Sequence, residues 1–246
     1  MKNLGKVLVA AVAVSFAATA AADERASPVL VELFTSQGCS SCPPADRYAS
    51  ELARRDDVLV LSFHVNYWDY IGWKDPFATE RTTARQHAYA RAMGQRHVYT
   101  PQMVIGGTLH EVGSDVAAIE RAVAEVAAGQ VVRPRIHMAV VGGETLRIEI
   151  GAGNYDSIAD VLLVRYDFEH RTEVPRGENA GHSLVNTNVV RHIRKIGSWS
   201  GPAARVDLDW SDITATGNDR CAVIVQVTGT GMVLAVTELV MAPPAD

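Results

Sequence analysis

The sequence is poor in cysteine, in positive charge and in long apolar runs. It contains three cysteines in 246 residues, and no second Cys-x-x-Cys or Cys/His pair accompanies the motif at Cys39 and Cys42. Structural zinc sites usually take four such ligands, so a zinc-folded module is disfavoured. The sequence also has no phosphate-binding loop, no dinucleotide fingerprint and no Ser-His-Asp pattern. These absences leave the two closely spaced cysteines as the strongest chemical signal in the chain.

Positive charge is outweighed by negative charge, with 23 Lys and Arg against 28 Asp and Glu, so nucleic acid is not an expected partner. One apolar run, Val7 to Ala18, follows Lys2 and Lys6 and precedes small residues ending at Ala22. This pattern predicts a secretory signal peptide and is too short for a membrane span; a retained N-terminal anchor is the alternative. Cleavage would remove two lysines and move the formal net charge from −5 to −7. We expect a periplasmic or secreted protein with no membrane span, in an oxidising space.

The two cysteines stand between a predicted strand and a predicted helix. Val29 to Phe34 is an apolar run typical of a strand, turn residues follow it, and Asp46 to Arg55 has a helical pattern. A Cys-x-x-Cys in this setting is typical of thioredoxin-like redox proteins. The alternatives are a soft-metal site and an inert disulfide. The third cysteine, Cys221, is predicted to be half-buried and inert.

Proline residues after the motif set the expected environment of the thiolate. Backbone N–H groups at a helix N-terminus lower a thiol pKa. Pro43 and Pro44 favour the first helical turn. If the helix begins at Pro43, Cys39 lies outside it, and its thiolate depends on local N–H groups of the turn. The sequence therefore predicts a reactive Cys39 without fixing its acidity.

The remaining elements of the first half complete a β-α-β-α-β-β-α order, which is the thioredoxin-like arrangement. An aromatic stretch from Val65 to Trp73 is read either as a loop covering the sheet or as a binding surface near the cysteines. The other predicted elements are a strand from Val58 to His64, a helix capped by Asp75 and running to Met93, a strand entered through Thr100-Pro101, a strand from Thr108 to Val112, and a helix from Asp115 to Ala128 capped by Ser114.

Four segments, VELFTSQGCSSCPPAD, FHVNYWDYIGWKDPF, ARQHAYA and YTPQMVIGG, resemble a family of secreted bacterial proteins catalogued as a domain of unknown function. The resemblance covers nearly the whole mature chain and implies a thioredoxin-like fold, but no established reaction. By this resemblance, Pro101 stands where thioredoxin-like folds place a cis-proline opposite the disulfide. Glu32 stands roughly where thioredoxin has its buried acid, and it would relay protons to Cys42. The alternative for Glu32 is a water-exposed carboxylate.

The second half changes to an all-strand pattern. Seven strands in about a hundred residues, joined by glycine-rich turns, predict an immunoglobulin-like β-sandwich. The expected organisation is a signal peptide at 1–22, a thioredoxin-like α/β domain at 23–130 and an all-β domain at 131–246. The predicted strands are Ile136–Val141, Thr145–Ile150, Asp160–Asp167, Leu184–Ile196, Arg205–Trp210, Cys221–Thr228 and Met232–Met241.

Three hypotheses for the function follow from the sequence. The leading one is an exported thiol-disulfide oxidoreductase that needs no prosthetic cofactor and acts on protein thiols or disulfides. Its site would consist of Cys39 as attacking thiolate, Cys42 as resolving thiol, Pro101 as groove-shaping residue and Glu32 as proton relay. The second hypothesis is a copper(I)-handling protein, in which the soft ligands Cys39, Cys42 and Met103 converge, with His64 as a fourth. The third is a structural, partner-binding protein in which the disulfide staples a loop.

Overall fold

The computed structural model describes residues 27–129, 134–155, 157–215 and 217–241. The predicted signal peptide at 1–22 lies outside the described residues. Among the described helices, none is long and apolar enough to cross a membrane. The elements run in the order β1 Val29–Thr35, α1 Pro43–Leu52, β2 Val58–His64, α2 Glu80–Ala92, β3 Gln102–Ile105, β4 Leu109–Val112, α3 Val116–Ala128, β5 Ile136–Val141, β6 Thr145–Ile150, β7 Ala159–Glu173, β8 Ser183–Trp199, β9 Ala204–Asp209, α4 Trp210–Thr214, β10 Arg220–Val227 and β11 Val233–Val240.

One large sheet contains strands from both halves of the chain. Its order is β11-β10-β7-β8-β2-β1-β3-β4, and a separate small sheet has the order β5-β6-β9. β1 and β2 are parallel, and β3 is antiparallel to β1. β2 also pairs in parallel with β8, through Ser62 and Val189. The sheet therefore continues across the boundary predicted near residue 130, and the division into two domains stays a prediction.

β1 and β2 are adjacent inner strands of the large sheet, and every residue of both strands is buried. Successive side chains of a strand point to opposite faces. On one face, Val31 and Leu33 pack against Ala45 and Ala49 of α1. On the other face lies an aromatic core that includes Tyr89 of α2. Burying one large apolar side chain contributes about 1.5–3 kcal/mol, so helices on both faces hold these two strands firmly.

The helix boundaries differ from the sequence-based prediction at their starts. α1 begins at Pro43, with Cys42 as its N-cap, three residues before the predicted start. α2 is capped by Thr79, which forms a reciprocal capping box with Thr82. The prediction that Asp75 caps this helix was wrong, because its carboxylate accepts hydrogen bonds from other segments. α3 is capped by Asp115, whose side chain accepts from the Ala118 N–H, and not by Ser114.

Within the described residues of the second half, seven strands occur close to their predicted positions. β5, β6 and β9 form the small sheet, whereas β7, β8, β10 and β11 join the large one. A shared apolar core lies between the two sheets and includes Leu146, Ile148, Val161 and Val223. The short helix α4 was not predicted. Asp209 caps it by accepting the Ser211 N–H, so the chain turns where the sequence suggested that the strand continues.

Candidate functional site

Cys39 and Cys42 form a disulfide between the end of β1 and the start of α1. Both residues are buried, with 1% and 0% of their surface exposed. The Cys39 N–H bonds to the Ser36 carbonyl, and the Cys42 N–H bonds to the Cys39 carbonyl. Since the helix begins at Pro43, Cys39 precedes its first turn, as the proline positions suggested. The Cys42 N–H group donates to a carbonyl oxygen, so it does not donate a hydrogen bond to the Cys39 sulfur.

Two hydroxyl groups lie at the Cys39 sulfur. Thr100 Oγ1 donates to Cys39 Sγ at 3.3 Å, and Ser41 Oγ lies 3.3 Å from the same sulfur. The Thr100–Pro101 bond is cis, as predicted. Pro101 lies close to the first turn of α1, because a Cβ added to Gly113 would come within 3.0 Å of the Cβ atoms of both Ala45 and Pro101. Hydrogen bonds to a charged sulfur favour the thiolate, so these hydroxyls are suited to stabilise it after reduction.

The aromatic stretch covers the cysteine turn. A Cβ added to Gly38 would lie 3.2 Å from the Trp68 Cβ, which shows how closely this residue approaches the turn. The Trp68 indole N–H donates to Thr100 Oγ1 at 2.8 Å, and the Trp73 indole N–H donates to Gln37 Oε1 at 3.1 Å. The sequence left open whether this stretch covers the sheet or forms a binding surface near the cysteines. In the structure its two tryptophans cover the turn.

Residues from the second half hold the turn from the other side. Asn179 Nδ2 donates to the Gln37 carbonyl at 2.9 Å and to the Cys39 carbonyl at 3.0 Å. Gln37 Nε2 donates to Thr172 Oγ1 at 3.0 Å and to Asn186 Oδ1 at 2.9 Å. The β7–β8 hairpin is therefore part of the wall around the disulfide. Sequence reasoning missed it, because lone polar residues more than a hundred positions away carry no periodic signal.

Glu32 lies on the face of β1 opposite α1. Its neighbours on that face, Leu30 and Phe34, belong to the aromatic core on the α2 side. Arg85 binds its carboxylate in a bidentate way, with Nε at 2.6 Å and Nη2 at 3.0 Å, and the Tyr89 hydroxyl also bonds to it. This carboxylate is buried, as the resemblance implied, but it is held by a guanidinium. Its position does not fit a proton relay to Cys42, which lies at the start of α1 on the other side.

Asp46 is the buried acid on the cysteine side of the sheet. It lies four residues after Cys42, and its N–H donates to the Cys42 carbonyl at 3.1 Å. The Thr35 hydroxyl donates to its Oδ1 at 2.8 Å, whereas its buried Oδ2 has no hydrogen-bond partner among the described residues. Burial raises the pKa of Asp46 to about 6, against the lowering effects of the His64 charge and the Thr35 hydrogen bond. The four-residue spacing from Cys42 was the signal in the sequence that could have identified it.

His64 and Asp75 complete this buried group. His64 Nδ1 lies 2.7 Å from Asp75 Oδ2, and both side chains are almost fully buried. Burial alone would lower the pKa of His64, but the charge and hydrogen bond of Asp75 outweigh it, and the pKa is raised. Met103, the thioether of the copper hypothesis, is fully buried in the aliphatic core beside α1. Across the described ranges, no three His, Cys, Asp or Glu residues gather in a way that could hold a metal ion.

Comparison with known proteins identifies relatives along most of the chain. A family model described as a protein of unknown function (DUF1223) matches residues 30–226. A crystal structure of a protein from Agrobacterium tumefaciens is 31% identical, with a TM-score of 0.78, and the match covers 91% of this chain and 98% of that one. No curated protein matches the chain.

A more distant structural match is HBP35 of Porphyromonas gingivalis. It is 11% identical, with a TM-score of 0.58, and the match covers 89% of this chain and 78% of that one. At this identity the match shows a shared fold alone. The two structural matches each cover most of both chains, so they relate to the arrangement of the whole sheet and not only to the cysteine turn.

Proposed function

This chain belongs to the DUF1223 family, and we propose that it is an exported, thioredoxin-like thiol-disulfide oxidoreductase acting through Cys39 and Cys42. The observation that carries the proposal is the disulfide at the start of α1 with the Thr100 hydroxyl on its first sulfur. A disulfide that only stapled a loop would need no hydroxyl groups at one sulfur and no buried acid one helical turn after the second cysteine. Both features support exchange chemistry over a structural role.

In the proposed reaction the two sulfurs have different roles. A substrate thiolate attacks Cys39 Sγ, the Cys39–Cys42 bond breaks, and Cys42 leaves as a thiolate that takes a proton from Asp46. A second substrate thiolate then attacks the mixed disulfide, and Cys39 leaves as a thiolate. The substrate is oxidised by two electrons and the cysteine pair is reduced by two. The reverse sequence reduces a substrate disulfide, and Asp46 then accepts the Cys42 proton.

The individual roles follow from position. Thr100 and Ser41 stabilise the Cys39 thiolate by donating hydrogen bonds to it. Pro101, beside the first turn of α1, borders the place where a substrate chain would lie. We assign the proton transfer to Asp46 and give Glu32 a structural role, since its carboxylate is bound by Arg85. Cys39 is 1% exposed and Trp68 closely approaches its turn, so we assign Trp68 the control of access to Cys39.

Trapping of a mixed disulfide tests the proposal. Cys42→Ser should accumulate protein covalently joined to its substrates through Cys39, because no resolving thiol remains to release them. The Cys221→Ala background removes the buried third thiol, so that every adduct reports on Cys39. The matched control is Cys39→Ser in the same background, which should trap nothing.

The same variant separates exchange from the copper hypothesis. In a copper carrier both thiolates ligate the ion, so Cys42→Ser would lose metal and trap no partner. Stoichiometric copper(I) on the reduced wild-type protein, together with no captured mixed disulfide, would reject the proposed exchange reaction. Capture of protein partners by Cys42→Ser, with no copper dependence, would support it.

A further inference from the structure

Two titratable side chains on the cysteine side of the sheet each have a buried atom without a hydrogen-bond partner among the described residues: Asp46 Oδ2 and His64 Nε2. Asp46 is 5% exposed and His64 is not exposed at all. Buried polar atoms are nearly always satisfied, and leaving one unpaired lowers stability. One atom belongs to an acid and the other to a base. An acid and a base that are both buried on the cysteine side of the sheet, each with an unpaired atom, call for a functional explanation.

The backbone places the acid and the base on one side of the sheet. Thr35 and His64 are direct neighbours across the parallel β1–β2 pair, so their side chains share a face. The Thr35 hydroxyl donates to Asp46 Oδ1 from this face. Asp46 in turn lies one helical turn after Cys42, where side chains four residues apart meet. Asp46 is therefore linked to His64 through its charge and to Cys42 through the first turn of α1.

Asp75 fixes the orientation of His64. Its Oδ2 receives His64 Nδ1–H and also the Gln37 N–H at 2.8 Å, while its Oδ1 accepts the Phe77 N–H. With Nδ1 bound to a carboxylate, Nε2 is the ring nitrogen left to gain or lose a proton. That nitrogen is the unpartnered one. Through the Gln37 N–H, the same carboxylate is joined to the turn that carries Cys39.

We infer that His64, oriented by Asp75, is a positioning residue that sets the charge of Asp46, so that the Cys42 sulfur and this buried group share one proton during disulfide exchange. The inference rests on the proposed function for its link to Cys42. In each turnover, Asp46 gives its proton to the departing Cys42 thiolate or takes one from the Cys42 thiol. His64 keeps a positive charge beside the carboxylate while that proton is away.

The surrounding charges agree with this arrangement. The His64 charge lowers the pKa of Asp46, Asp75 raises it, and Arg47 on α1 lowers it. The pKa of His64 is raised by Asp75 and Asp46, and Arg191 on β8 opposes them. Burial alone would raise the pKa of Asp75, but the His64 charge outweighs it and the pKa is lowered. A positive His64 is thus the main influence that keeps Asp46 able to lose its proton near neutral pH.

The test is a titration of the Asp46 carboxyl by NMR in the full chain with isotope-labelled aspartate, assigned with Asp46→Asn. In His64→Gln the midpoint should rise by about 1 pH unit, the lower end of the effect of one neighbouring charge. In Asp75→Asn the Asp46 midpoint should rise less. The negative Asp75 charge itself raises the pKa of Asp46, so its loss offsets part of the rise expected from a weakened His64 charge. The control Asp56→Asn alters an exposed residue and should leave the midpoint unchanged.

Comparison of the oxidised and reduced wild-type protein tests the link to Cys42 without any variant. Reduction should raise the Asp46 midpoint, because Asp46 and Cys42 then compete for one proton. The same midpoint in wild type, His64→Gln and Asp75→Asn would overturn the inference and leave the proposed exchange reaction standing. If the Asp46 midpoint were the same in the oxidised and the reduced protein, the idea of a shared proton would be wrong. Failure of Cys42→Ser to trap partners would reject the proposed function alone, since the titration does not depend on substrates.

Discussion

Two groups of buried charge lie on opposite faces of the large sheet around β1, and they are built differently. The Arg85 cluster consists of Glu32, Arg85, Tyr89 and Gln226, and the His64 cluster consists of Thr35, Asp46, His64 and Asp75. In the Arg85 cluster a bidentate ion pair is extended by bonds from Arg85 and Gln226 to Tyr89. In the His64 cluster an acid oxygen and a ring nitrogen have no partner among the described residues.

The difference separates a structural ion pair from a group that can change its protonation. A buried charge held by a guanidinium has its counter-charge fixed, since arginine does not release its proton in proteins. An aspartate beside a histidine has a counter-charge that can itself gain or lose a proton. Burial alone therefore does not identify a functional acid. The partner of the acid decides whether it can exchange a proton.

The largest expected effect comes from breaking the Arg85 cluster. Arg85→Met leaves the Glu32 carboxylate buried without its counter-charge, and should lower the free energy of unfolding by about 3–5 kcal/mol. The measurement is urea unfolding at neutral pH. Arg91→Met, an exposed arginine on the same helix, is the matched control and should change stability by less than about 0.5 kcal/mol. Equal losses in the free energy of unfolding would show that the buried ion pair contributes no more to stability than an exposed arginine does.

The next effect concerns the pH dependence of stability in the His64 cluster. Burial raises the pKa of Asp46 to about 6 in the folded protein, against 3.8 for an ordinary aspartate. The folded state then binds this proton more tightly than the unfolded state, so the Asp46 contribution to stability rises as the pH falls from about 6 to about 4. A shift of about two units corresponds to about 3 kcal/mol.

Asp46→Asn should abolish that part of the pH dependence and should be more stable than wild type at neutral pH. Unfolding free energies at several pH values between 4 and 8 check the prediction. Asp56→Asn, an exposed aspartate soon after α1, should keep the wild-type dependence. If Asp46→Asn followed the wild-type curve, Asp46 would not be the acid that titrates in this range.

The smallest effect concerns access of a small thiol to the disulfide, which lies on the same side of β1 as the His64 cluster. Trp68→Ala removes the indole that donates to Thr100 and covers the turn. Reduction of the disulfide by a small thiol should become about fivefold faster, as expected when a hydrogen bond of about 1 kcal/mol no longer holds the cover. Tyr70→Ala, in the same stretch but 80% exposed, should leave the rate unchanged. Identical rates in all three proteins would mean that Trp68 does not control access.

Local signals in the sequence predicted the parts of the site that depend on neighbouring residues. The apolar runs predicted β1 and β2, the prolines placed the start of α1 close to Cys42, and Thr100-Pro101 was correctly expected to be cis. The two strands and the helix start depend on backbone preferences within a few residues, whereas the cis bond was expected from the family resemblance. The thioredoxin-like class and the sandwich-like second half stay predictions.

Long-range contacts explain what the sequence did not reveal. Asp75 before Pro76 has the pattern of a helix cap, but the Gln37 N–H and His64 bind its carboxylate instead. Alternation along β1 shows that Glu32 faces away from Val31 and Leu33, yet it does not show which face α1 covers. For Asn179 no local pattern exists at all. In each case the deciding partner lies on another element, and one sequence contains no signal for that pairing.

The hydrogen bonds from Asn179 to the cysteine turn also bear on the order in which contacts form during folding. Cys39 and Cys42 are three positions apart, so they can meet as soon as this stretch has been synthesised. Asn179 and Cys39 are 140 positions apart, and contacts between such distant residues form late in folding. The newly made chain therefore carries an unshielded thiol pair until the β7–β8 hairpin docks. During this interval any oxidant or thiol nearby reaches sulfurs that the finished protein buries.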